Sequence, residues 1–232
     1  MLGRYTLSSG SLFTKNTTVG DYGFVNFGAG VGQFFQSGGL HEEEQALLVD
    51  YTGGYTLSGG QLRASSLNVD GSFAQSAGVL NISGDVRFRA ASGALLSGGT
   101  FTAGGAISVL SYAVTQRGGT LTATRMTVGD STFLPFVNTP TYVAAGGQFN
   151  GDILVLNRGE LQGQGGSVNG TVTVGTEGRL NLSNGTTTLR RLVIDQRQGG
   201  AEIRAQLNIS ESMSLASGTR LVLGDEIGRA HV

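Results

Sequence analysis

An internal repeat constrains this chain more than any other feature of its sequence. One phrase recurs as YTLSSGSL (5 to 12), FFQSGGLH (34 to 41), YTLSGGQL (55 to 62), FAQSAGVL (73 to 80), ALLSGGTF (94 to 101) and VTQRGGTL (114 to 121). Its second glycines are Gly10, Gly39, Gly60, Gly78, Gly99 and Gly119, separated by 29, 21, 18, 21 and 20 residues. The unit is therefore about 20 residues, with one longer insertion. Near residue 146 the wording changes, and GGQFNGDILVLNRGELQG is answered nineteen residues later by GGSVNGTVTVGTEGRLNL. The period survives the change.

Within each unit the apolar residues alternate with polar ones. Leu67 and Val69 flank Asn68, Leu80 and Ile82 flank Asn81, Val86 and Phe88 flank Arg87, Val172 and Val174 flank Thr173, and Leu180 and Leu182 flank Asn181. A period of two is that of a strand with one face buried. The runs are short and bounded by glycine and serine, which suit tight turns. The nearest approach to a helical pattern, HEEEQALLVDY (41 to 51), is too short to stand as one.

Short strands at this period exclude propeller blades, which need about 40 residues each, and sandwiches do not require near-identical units. The fold expected is all-β: a single-stranded parallel β-solenoid of about ten coils, right-handed by default. One coil cannot bury its own inward Leu, Val, Ile and Phe, whereas neighbours above and below complete a continuous core. The expected organisation is a solenoid with SGG-type repeats over 1–130, a loop or excursion over 131–145 holding Pro135 and Pro140, and a solenoid with GG-x-x-NG repeats over 146–225. Residues 226–232, EIGRAHV, break the pattern and look like sequencing-adapter read-through, so His231 is expected to be non-native.

Composition agrees with a packed, turn-rich chain. Of 232 residues, 40 are glycine without a collagen period, 39% are hydrophobic and 13% charged, so collagen and plain disorder are excluded. There is no cysteine, hence no disulfide and no thiolate chemistry. A formal net charge of -1 gives no basic footprint for nucleic acid. No stretch reaches the 18 or more apolar residues of a membrane-spanning helix, and MLGRYTLSSGSL lacks a basic region followed by an apolar core. Any export signal or membrane anchor is expected to lie in missing regions.

With YTLSGGQL, FAQSAGVLNISGDV and FFQSGG in view, the chain resembles the repetitive surface proteins of environmental bacteria: autotransporter-like passenger regions and large secreted proteins with a C-terminal PEP-CTERM sorting signal. The resemblance covers residues 3 to about 125 well and 146 to 225 loosely. It implies a secreted or outer-surface β-helical stalk and transfers no functional residue.

Catalytic β-helices need two or three carboxylates, or a carboxylate with Arg or Lys, on adjacent coils. Asp50, Asp70, Asp85, Asp130, Asp152 and Asp195 read instead as scattered turn residues with no acidic pair. HEEEQ (41 to 45) reads as a solvated insertion, in which only alternate members such as His41 and Glu43 could converge on a metal. No GxSxG elbow, Walker lysine loop or calcium nonapeptide is present. Asn68, Asn81, Asn181 and Asn208 are either a stacked amide ladder or simply outward polar residues, and the sequons at Asn81, Asn169 and Asn208 carry little weight. Phe34 and Phe35, with Tyr22, Phe24 and Phe27, form the densest aromatic region, read as packing rather than as a sugar platform.

No catalytic, cofactor-binding or metal residue is assigned, and no cofactor is expected. The expected role is a non-enzymatic structural or adhesive stalk segment, extracellular or on the bacterial outer surface. Its expected partners are glycans, host or abiotic surfaces, or further copies through the solenoid ends. The alternative is a fragment of a carbohydrate-active β-helix or a glycan-binding module.

Overall fold

The computed structural model describes residues 2–20, 31–89, 93–129, 139–183, 185–194, 200–203, 206–215 and 220–223. Among these every regular element is a strand. Five coils have three strands each: β1 (Leu2–Leu7), β2 (Ser11–Thr14) and β3 (Thr17–Val19); β4 (Val31–Gln36), β5 (Leu40–Glu43) and β6 (Ala46–Val49); β7 (Gly53–Leu57), β8 (Gln61–Ala64) and β9 (Ser66–Val69); β10 (Ser72–Gln75), β11 (Val79–Ile82) and β12 (Val86–Phe88); β13 (Ala94–Leu96), β14 (Thr100–Ala103) and β15 (Ala106–Val109). Beyond them each coil has one short and one long strand: β16 (Ala113–Gln116) and β17 (Thr120–Val128), β18 (Thr141–Ala144) and β19 (Gln148–Val155), β20 (Glu160–Gly163) and β21 (Ser167–Val174), β22 (Arg179–Leu182) and β23 (Thr186–Ile194), β24 (Gly200–Ile203) and β25 (Gln206–Leu215), then β26 (Arg220–Leu223).

All pairings are parallel and join each strand to its counterpart one coil away, as a β-solenoid requires. The first sheet takes one strand per coil, eleven in order from β1 to β26. At the usual inter-strand spacing these stack to roughly 50 Å. The second sheet has fifteen strands and two sides, which fuse where β17 pairs with both β14 and β15. The long strands keep a register shift at the bend, between Thr122 and Arg125 in β17. The bent strand begins one copy before the GG-x-x-NG wording, in β17, which starts at the end of VTQRGGTL.

Register converts the sequence alternation into columns. Val19, Val49, Val69, Phe88, Val109, Val128, Val155, Val174 and Ile194 stack in one interior column, each buried. A second column runs Tyr5, Phe34, Tyr55, Phe73, with successive rings stacked at 4.8, 4.7 and 5.9 Å between centroids. Phe34 therefore packs inside, while Phe35 points outward beneath the Arg4 guanidinium at 4.5 Å. Full burial of each such side chain contributes about 1.5–3 kcal/mol.

The repeated SGG is the corner between the first sheet and the second. Its second glycine has φ between +68° and +80° in all six copies, a region that side chains with a Cβ avoid.

Two expectations change. The excursion set at 131–145 ends earlier, because Thr141–Ala144 forms β18, pairing with β16 and β20 and burying Tyr142 and Ala144 on the Val114 and Gln116 columns. HEEEQ is no solvated insertion: Leu40–Glu43 is β5, in register with β2 and β8, and His41 and Glu43 point inward. Residues 131–138, Tyr22, Phe24, Phe27, Asp130, Asp195 and the 226–232 tail lie outside the described residues.

Candidate functional site

Three groups of side chains depart from the rule of apolar inside and small polar outside. The first is internal. The inward residue that closes each of the first six first-sheet strands runs Leu7, Gln36, Leu57, Gln75, Leu96, Gln116. The three glutamines are buried, so their amides need partners. Each turns its Nε2 to the corner carbonyls and to the coil that follows: Gln36 donates to Gln61 O at 2.7 Å, Gln75 to Thr100 O at 3.1 Å and Gln116 to Gln148 O at 3.0 Å. Two also accept a phenol hydrogen on Oε1, Gln36 from Tyr55 at 2.7 Å and Gln116 from Tyr142. Burial holds both phenols well above the ordinary range, with the charge of Glu43 adding to the effect at Tyr55.

Around Tyr55 the network extends. His41 and Glu43 are 0% and 3% exposed. His41 Nδ1 lies 3.0 Å from Tyr55 OH and its Nε2 lies 3.1 Å from Thr14 Oγ1, which donates to Glu43 Oε2 at 2.7 Å. Phe34 stacks on the imidazole at 4.9 Å. Burial pushes the His41 pKa below its ordinary value, and Glu43 offsets this in part. The repeat itself carried the signal. Aligned from Gly39 and Gly60, His41 falls on the inward Leu62, and Glu43 two residues further on is inward as well. Enclosed in the core, this cluster can hold a proton but offers a substrate no approach.

The second group lies at one corner of the coils. Asp50, Asp70 and Arg89 follow Val49, Val69 and Phe88 of one interior column and so occupy one corner on three successive coils; their backbone N–H groups bond to Val19 O, Val49 O and Val69 O of the preceding coil. The reading of scattered aspartates is corrected at this corner. The cue was VD at 49–50 and again at 69–70, one repeat apart. Asp70 pairs with Arg89 at 3.1 Å, while Asp50 is 1% exposed and its Oδ2 is buried without a hydrogen-bond partner. Among the described residues no three His, Cys, Asp or Glu gather as a metal site would require.

Asp85 serves as a corner residue, and Asp152 sits at the bend within β19. Their Oδ1 atoms accept the Ala106 N–H at 2.9 Å and the Thr171 N–H at 2.8 Å of the following coil. Asp152→Ala is expected to lower stability by about 1 kcal/mol, the loss of one charge-assisted bond at an exposed position. A chemical-denaturation midpoint equal to wild type would show the staple to be idle.

The third feature is an open groove of about 470 Å³ across the outer face of β7, β10, β13 and β16. Thr56, Ser72, Leu95, Tyr112, Thr115 and Arg117 line it. Ser72 lies two residues past Asp70, so the acidic corner borders one side. Exposed aromatics among the described residues are Tyr5 in β1, Phe13 in β2 and Tyr51 at the corner before β7, three separate places.

The asparagine ladder does not form at Asn68, Asn81 or Asn181, and the Asn208 side chain lies outside the described residues. Asn68 lies between Leu48 and Arg87, Asn81 between Arg63 and Thr102, and Asn181 between Gln162 and Glu202. Asn68, Asn81 and Asn181 are half-buried on the outer sides of their strands.

No protein family, curated protein or solved structure matches this chain.

Proposed function

We propose that this chain is a non-enzymatic structural or adhesive stalk segment of a large secreted or surface-exposed bacterial protein. The supporting observation is the unbroken in-register stacking of the first sheet, one strand per coil, over one continuous core. Such stacking makes length proportional to coil number and resists bending, because every coil is held by both neighbours. A spacer needs no more than that.

A second reading, glycan binding, draws on the groove with its Tyr112 and Arg117 rims and on the Asp70–Arg89 pair beside it. Small-angle scattering combined with a glycan array and a polysaccharide-depolymerisation assay separates the two. The stalk reading expects a rod of roughly 50 Å, no saturable glycan signal and no new reducing ends. Saturable binding abolished by Arg117→Ala would move the assignment to a glycan-binding module, and turnover lost in Asp70→Asn would move it to an enzyme.

A further inference from the structure

We propose that the buried chain Gln36, Tyr55, His41, Thr14, Glu43 holds one more proton than a neutral imidazole and a carboxylate supply, which makes these coils a latch that loosens above neutral pH. Four contacts link the five groups, at 2.7, 3.0, 3.1 and 2.7 Å in that order. At these distances no water fits between partners, and each contact needs one hydrogen. With His41 neutral and Glu43 ionised, the Tyr55 hydroxyl, the His41 ring and the Thr14 hydroxyl supply three. One contact would then set two lone pairs face to face.

Turning the Gln36 amide over does not supply the fourth. Its Nε2 already faces the carbonyl oxygens of Gly38, Gly39 and Gln61, and Oε1 in that place would be repelled by all three. A fourth proton resolves the count in two ways. Either a Glu43 carboxylic acid donates to Thr14, which donates to His41 Nε2, or an imidazolium donates from both nitrogens while Thr14 donates to the carboxylate. In both, His41 Nδ1–H donates to Tyr55 and Tyr55 donates to Gln36. The second Glu43 oxygen, Oε1, is buried and without a hydrogen-bond partner. Burial disfavours the imidazolium and Glu43 offsets this in part, with His41 Nε2 3.8 Å from Glu43 Oε2, so the extra proton is shared by the pair.

Other groups around the pair do not change the count. Thr14 of β2 and Tyr55 of β7 face His41, and Phe34 of β4 stacks on it. From β8 the inward neighbours are Leu62 and Ala64. The charged Lys15, Glu42, Glu44 and Arg63 are on the outer side or at the exposed turns.

The sign of the pH effect follows from proton counts. An unfolded chain loses its histidine proton near about pH 6.5 and its carboxyl proton near about 4.3. Between those values both states hold one proton and stability is flat. Above about pH 6.5 the folded network keeps a proton that the unfolded chain has released, so stability falls by about tenfold in the folding equilibrium per pH unit, until the folded network itself deprotonates. Below about pH 4.3 the unfolded chain binds a second proton for which the folded chain has no contact, and stability falls again.

Hydrogen exchange of the β5 and β7 amides in the full chain, corrected for the intrinsic rate, tests this from pH 6 to 9. Wild-type protection is expected to fall about tenfold per unit above roughly pH 6.5. Glu43→Gln is expected to remove that slope, because the carboxamide N–H stands where the acid O–H would be and needs no titrating proton. A flat wild-type profile, or a slope that survives in Glu43→Gln, overturns the proposal. Should Glu43→Gln not fold, Glu43→Leu removes the titrating carboxyl and leaves three hydrogens for three contacts, and a persisting slope there is equally fatal.

Discussion

Gly60→Ala is expected to destabilise the solenoid by about 3–5 kcal/mol, whereas Gly10→Ala should cost about 1–2 kcal/mol. The two glycines share the corner position, the wording around them and the same φ of +77°. They differ in what lies beside them. A Cβ at Gly60 would be driven into the Gly39 carbonyl oxygen and the Gly38 backbone of the preceding coil, while a Cβ at Gly10 meets nothing within 4 Å. The Gly10 variant therefore reads the backbone strain alone, and the excess at Gly60 reads the close approach of stacked coils. Denaturant midpoints followed by circular dichroism measure both. Equal losses at the two positions would mean that coil stacking does not demand glycine there, and the repeated phrase would need another cause.

Gln116→Leu is the second large effect, with an expected loss of about 2–4 kcal/mol. Leucine fits that place, since Leu57 and Leu96 occupy it in other coils. Shape is thus not the difficulty. The fully buried Tyr142 hydroxyl has Gln116 Oε1 as its acceptor, and removing one member of a buried polar pair leaves the other unsatisfied. Gln116→Leu combined with Tyr142→Phe should recover most of the loss, because neither partner then remains. The double-mutant cycle reports the coupling directly. A double variant as unstable as the sum of the singles would show that the amide's bonds to the corner carbonyls, not the phenol, are what matters.

Much of the architecture was legible in the residues. Leu67, Val69, Leu80, Ile82, Val86 and Phe88 alternate because every second side chain of a strand faces inward, and all six are buried. The glycines of SGG recur because each coil meets its neighbour at the same close corner. Less legible were the residues that the repeat carries inside against their chemistry. His41 and Glu43 read as polar because they are polar, yet register with Leu62 and its strand brings them into the core, where Thr14 and Tyr55 from two other coils complete their hydrogen bonds. Glutamine before SGG looked interchangeable with leucine until its amide was seen to reach a carbonyl 25 residues on for Gln36 and Gln75, and 32 residues on for Gln116.

The corners followed the same division. Asp50 and Asp70 look like separate turn aspartates along the chain, but stacking places them on one corner with Arg89 on the next coil. The sequence by itself determined the strands, the period and the solenoid, since these depend on local alternation and on glycine at a repeated backbone conformation. Only the tertiary structure decided which side chains share a column, because a column joins residues about 20 positions apart, and the 18- to 29-residue drift in period sets that register coil by coil.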